Sequence, residues 1–247
     1  TTLFRSGIEA RYHVGAASYA TVVGECLGEL AAGGRVWIST SKRKAKSLEA
    51  FFTAQGYCVM AVHADNKGDP AQAAFLADPE AESLNYDVVV HSPVIGSGLS
   101  IEHKEAGPWF TLGALIDGGH RITPADAAQM MRRVRYLRRY ALALIPNSQI
   151  GKQSPESVIT AWQEAAALEG KPAAVNDFAG FRAGIVADYD NHRADFAAGL
   201  LWQLERNGWT LRRGAADADA ETAAALTIIK EAQDAEHRAA LLAAPFI

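Results

Sequence analysis

The chain has 247 residues, 49% of them hydrophobic and 21% charged, with a net charge of -4. That length supports a sizeable core, no apolar run is long enough to cross a bilayer, and two isolated cysteines leave neither a disulfide framework nor a zinc site. A globally basic nucleic-acid binder is excluded, but residues 1–150 carry 15 Lys/Arg against 14 Asp/Glu and residues 151–247 carry 9 against 14, so any nucleic-acid surface is local and belongs to the first part.

In chain order, residues 18–30 read as a helix opened by Ser18 and stopped by Gly33-Gly34. "VWIST" at 36–40 is a short apolar strand, and Ser41 then opens a helix that ends at Gly56. A strand at 58–63, a loop and a short helix at about 70–76 follow, then strands at 87–92 and 110–117. "TPADAAQMMRRVRYLRR" (123–139) has Thr123 as N-cap and Pro124 at the first helical position, and is predicted to be helical throughout, with five arginines in its last eight residues. No acidic residue lies within 129–139 to offset them at i+4 spacing, so the counter-charge comes from elsewhere. A fifth strand occupies 140–146. Continuous apolar runs alternating with helices predict a doubly wound parallel sheet with helices on both faces over residues 1–150.

Residues 151–247 differ in character: alanine-rich helical patterns at about 155–169, 188–207 and 217–243, with one brief strand candidate in "WTLRR" at 209–213. This predicts a mainly helical extension joined through a hinge at 146–153. A cytoplasmic protein is expected, and a first residue other than Met suggests a piece of a longer chain.

Ligands of open α/β sheets bind at the carboxyl ends of the strands. After the 36–40 strand comes "STSKRKAK", where hydroxyls, cations and a helix N-terminus together suit a phosphate. After the 87–92 strand comes "HSPVIGSGLSIE", with Gly96 and Gly98 allowing close backbone approach. No GxxxxGK[ST] loop is present, and "LIDGGH" (115–120) lacks the second acidic residue of a magnesium-binding box, so Asp117 is expected to have a structural or coupling role. His63 and His91 end buried strands and are read as core histidines.

These loops, taken in order, resemble the second RecA-like lobe of a superfamily 2 helicase over roughly residues 18–147. "VWISTSKRKAKSLEAFFTAQG" resembles motif IV, "VVVHSPVIGSGLSIE" motif V, and "LGALIDGGHRITPADAAQMMRRVR" the strand and helix leading into motif VI, QxxGRxxR. Gln129 and Arg133 match that pattern; Arg132 replaces its glycine and Tyr136 its last arginine, with Arg135 one place earlier. The resulting QxxxRVR form is closer to herpesvirus-type origin-binding helicases and to plasmid and phage replication helicases.

The resemblance implies that Arg133 and Arg135 are arginine fingers for a triphosphate held by another lobe, that Gln129 contacts nucleotide or water, and that Gly98 and Ser100 line the nucleotide edge. It also implies Ser39, Thr40, Lys42, Ser92 and Ser97 as contacts to a single strand, expected to be DNA. ATP and magnesium would be bound mainly by the N-terminal RecA-like lobe, with no metal ligands in this chain. Two readings remain beside the motor lobe: a nucleic-acid or partner-binding module without turnover, and a Rossmann-like nucleotide-sugar enzyme.

Overall fold

A computed structural model describes residues 7–66, 68–95, 99–145, 152–171, 176–215 and 217–243. In chain order the elements are β1 (Glu9–Val14), α1 (Ser18–Ala31), β2 (Val36–Thr40), α2 (Lys42–Ala54), β3 (Val59–Val62), α3 (Pro70–Ala77), α4 (Pro79–Glu82), β4 (Val88–His91), β5 (Leu112–Asp117), α5 (Pro124–Met131) and β6 (Arg139–Leu144). The C-terminal part adds α6 (Pro155–Leu168), α7 (Asp177–Ala194), α8 (Phe196–Arg206), β7 (Thr210–Arg213) and α9 (Ala220–Ala243).

All seven strands are parallel and form one sheet in the order β3-β4-β2-β5-β6-β1-β7. The five apolar runs became β2 to β6 because each is buried along almost its whole length, as a strand covered on both faces must be. Side chains alternate between two cores. Val36 and Ile38 face α1 and α2 with Cys26, Leu48 and Phe52, while Trp37 faces the opposite layer with Phe75, Met131 and Leu200.

Several elements differ from expectation, and the helical pattern at about 188–207 is divided between α7 and α8. β1 was not foreseen, because "EARYHV" alternates charged and apolar residues instead of running apolar. The arginine-rich helix stops at Met131 rather than Arg139, so Arg133 and Arg135 lie beyond its end. The C-terminal part also enters the sheet: β7 pairs with β1, and Phe196, Leu200, Leu204 and Trp209 join the Trp37 core. α6 and α7 pack on each other around Val158, Ala183 and Ala187. Among the described residues no helix is long and apolar enough to cross a membrane.

Candidate functional site

β2 and β5 are neighbours, but the chain leaves β2 for α2 on one face and β5 for α5 on the other, the reversal beside which open α/β sheets bind ligands at the carboxyl ends of their strands. At the β2 end, Ser39 and Thr40 are fully buried. Thr40 Oγ1 donates to the Ile116 carbonyl at 2.7 Å. Ser39 Oγ lies 2.8 Å from His91 Nε2, while His91 Nδ1 lies 3.3 Å from the Ser92 carbonyl. A carbonyl only accepts, so Nδ1 carries the proton and Ser39 donates to Nε2. Burial pushes the His91 pKa down to about 3, so the ring is neutral.

Ser39, Thr40 and Ser92, expected among the strand contacts, are thus buried in the sheet, and the two β2 hydroxyls are committed to internal bonds. What faces outward is the first turn of α2, with no acidic residue in it and no side-chain cap from Ser41. Lys42 is exposed on that turn and bonds Asp65. Burial lowers the pKa of Lys44, and the nearby Asp117 charge opposes that shift. Asp117 Oδ1 accepts from the amides of Gly118 (2.8 Å) and Gly119 (2.7 Å) and closes the turn after β5, the structural half of the role expected for it. Among the described residues no group of three His, Cys, Asp or Glu is placed to hold a metal.

The second half of the site joins two loops. α5 begins with a capping box, Thr123 Oγ1 accepting from the Asp126 amide and Asp126 Oδ2 from the Thr123 amide. After Met131 the chain turns back, and Ile101 and Val134 form an isolated parallel bridge: the Ile101 amide donates to the Arg133 carbonyl at 2.8 Å, the Arg135 amide to the Ile101 carbonyl at 2.9 Å. The arginines on either side of Val134 then diverge. Arg133 is 4% exposed and donates from Nη1 to the Leu99 carbonyl, and burial together with the Arg135 charge lowers its pKa. Arg135 is exposed, its Nε donating to Ser100 Oγ at 3.0 Å. Continuous helix would have left Arg133 on an outer face; the early helix end turns it inward instead.

The structure therefore brings Ser100, Arg133 and Arg135 together and leaves Gln129 exposed in the last turn of α5. Ser97 and Gly98 lie outside the described residues. An open cavity of about 580 Å³ beside Ser100 is lined by Asp78, Glu80, Glu102 and Glu105 together with His103 and Lys104, so its charge is mainly acidic with one cation.

Two residues that spacing did not single out hold this loop. Tyr136 Oη accepts from the amides of Trp109 and Phe110 at 3.0 Å each, and lies 2.7 Å from His103 Nδ1. His103 Nε2 lies 2.8 Å from Ser83 Oγ, and Ser83 donates to the Glu80 carbonyl. With Ser83 so committed, His103 donates from Nε2 and receives the Tyr136 proton at Nδ1, so one buried neutral imidazole ties the arginine loop to its neighbour. His103 has φ of 45°, a left-handed conformation unusual for a residue with a Cβ. Arg132 donates to the carbonyls of Arg135 and Leu137, closing the turn from inside.

No protein-family model and no curated protein matches the sequence. Among solved structures the chain is similar to the C-terminal domain of Saccharomyces cerevisiae Dbp5 bound to Gle1 and IP6, at 14% identity over 91% of this chain and 99% of that one, TM-score 0.45. It is similar also to the RNA helicase Prp28 from Chaetomium thermophilum bound to ADP (11% identity, 66% and 37% coverage, TM-score 0.41). T4 UvsW is a third (9% identity, 87% and 43% coverage, TM-score 0.42). The chain spans about half the length of a longer S. cerevisiae Dbp5 chain that it matches, 47%.

Proposed function

We propose that this chain is the second RecA-like motor lobe of a superfamily 2, NTP-dependent helicase or translocase. The observation that carries the reading is the Ile101–Val134 bridge, which joins the motif V-like and motif VI-like segments and sets Ser100 against Arg135. Arg135, exposed and held at Nε, is the finger for a triphosphate bound by an N-terminal lobe. Arg133 braces the loop through Leu99 in this conformation. ATP with magnesium, bound mainly by the other lobe, would supply the reacting phosphoryl group, and Arg135 is the residue here that would share in that site. Lys42 and the α2 amides contact a single strand. The QxxxRVR form carries the finer reading of a DNA helicase for a plasmid, phage or integrated element.

The test is ATP turnover, stimulated by single strands, in the longer protein that carries both lobes. Arg135→Lys is expected to lower it by roughly a thousandfold, because an ammonium cannot reproduce the planar two-point contact. Near-normal turnover would return Arg135 to a solvated surface residue. This chain alone is expected to hydrolyse ATP at no appreciable rate, and helicase-like turnover from it would overturn the two-lobe reading. The burial of Arg133 favours a second reading, a clamp without turnover. Under it, Arg133→Lys and Arg135→Lys would both leave ATP hydrolysis at background.

A further inference from the structure

The segment that carries Ser100 is held from outside the arginine loop. α4 is a single turn, opened by Pro79 and by Asp78, whose Oδ1 accepts from the Ala81 amide at 3.1 Å. The next residue of that turn, Glu80, reaches the chain just beyond Ser100. Its Oε1 accepts from the Glu102 amide at 2.6 Å and its Oε2 from the His103 amide at 2.7 Å. One carboxylate thus takes two consecutive backbone amides, and charge-assisted bonds of this kind are roughly twice as strong as neutral ones.

The corner so gripped is one the chain does not adopt unaided. His103 has φ of 45°, and a residue with a Cβ keeps such a conformation only where its surroundings fix it. Successive N–H groups beside a left-handed residue converge on an anion, and here the Glu80 side chain is that anion. Glu80 holds the corner a second time, since its carbonyl accepts from Ser83 Oγ, which meets the His103 ring. From the corner the constraint passes back along the chain. Ile101, next to Glu102, donates to the Arg133 carbonyl and accepts from the Arg135 amide, and Ser100, next to Ile101, accepts from Arg135 Nε.

We propose that Glu80 is a positioning residue for Arg135: by fixing the Glu102–His103 corner it sets the Ile101–Val134 bridge, and with it the Ser100 hydroxyl that orients the guanidinium. The inference rests on the reading of Arg135 as the finger and adds to it a residue of α4, which lies outside every motif-like segment. Because Glu80 acts through the backbone on a group used in the transition state, its loss should lower kcat and leave KM for ATP as it was.

ATP turnover by the two-lobe protein tests it, with thermal melts as a control on folding. Glu80→Gln offers one oxygen and one NH2 group to the two amides. It should lower kcat about tenfold or more, since a misplacement of about 1 Å can cost about a hundredfold. In an Arg135→Lys background the same change should lower kcat no further, because the group it positions is already gone. In this chain alone, the Arg135 Nε–H signal in nitrogen-15 NMR, assigned through Arg135→Lys, should exchange faster with water in Glu80→Gln than in the wild type. Glu80→Asp, which keeps the charge but withdraws it by one methylene, is read in the same way if Glu80→Gln does not fold. A wild-type kcat, an Arg135 Nε–H that exchanges no faster, or losses from the two substitutions that multiply would each overturn the positioning role while leaving the finger in place. Near-normal turnover by Arg135→Lys would instead overturn the finger reading on which the role rests.

Discussion

The Tyr136 phenol illustrates how one oxygen can fix a loop, accepting two backbone amides and donating to a buried histidine. Tyr136→Phe leaves the Trp109 and Phe110 amides without that acceptor. At about 1–3 kcal/mol for each donor left unsatisfied when buried, urea unfolding should show a loss of about 2 kcal/mol or more with unchanged denaturant slope. His91 makes a second prediction. Its folded-state pKa of about 3 lies below the ordinary 6.5, so the unfolded chain takes up the proton first. Its contribution is therefore intact above about pH 6.5 and is lost as pH falls from there toward 3, amounting to about 2 kcal/mol at pH 5. His91→Gln, which cannot titrate, should lose about 2 kcal/mol less than the wild type between pH 7 and pH 5; equal losses would assign the acid sensitivity to other groups. Tyr136 was visible in the sequence only as a departure from an arginine pattern. Its partners lie 26 to 33 residues away, and spacing cannot show where a hydroxyl points.

α5 shows where local rules end. Its start was legible because the capping box is made by neighbours in sequence, and Thr123→Ala should cost about 1 kcal/mol in thermal or urea unfolding. Its end was not legible, because no Gly or Pro marks it and every residue from Arg132 to Arg139 is compatible with helix. The stop is tertiary. Tyr140 Oη donates to the Met131 carbonyl, Arg132 reaches forward to the Arg135 and Leu137 carbonyls, and Val134 pairs with Ile101. The consequence reaches function, since a helix continued to Arg139 would send Arg133 outward, whereas the turn sends only Arg135 there. β1 was missed for a related reason: between β6 and β7 it buries Ala10 and His13 while Glu9, Arg11 and Val14 stay exposed, so the continuous apolar run that marked the central strands is absent.

At the scale of the molecule, the change of composition near residue 150 does not coincide with an edge of the packing. β7 extends the sheet beyond β1, Trp209 packs on Tyr140 with ring centroids 4.8 Å apart, and Leu226 of α9 joins the core under α1 and α2. Phe196, Leu200, Leu204, Trp209 and Leu226 are each less than a tenth exposed. At about 1.5–3 kcal/mol for each large apolar side chain buried, together they contribute about 7.5–15 kcal/mol, comparable with the roughly 5–15 kcal/mol by which a typical domain is stable. α6 and α7, by contrast, bury only a small cluster of their own. A chain ending at residue 154 should therefore lack a cooperative urea transition and expose apolar surface to dye, while the full chain unfolds in a single step. A sharp transition in the shortened chain would mean that the sheet is complete without β7, and the boundary near residue 150 would then separate two folding units.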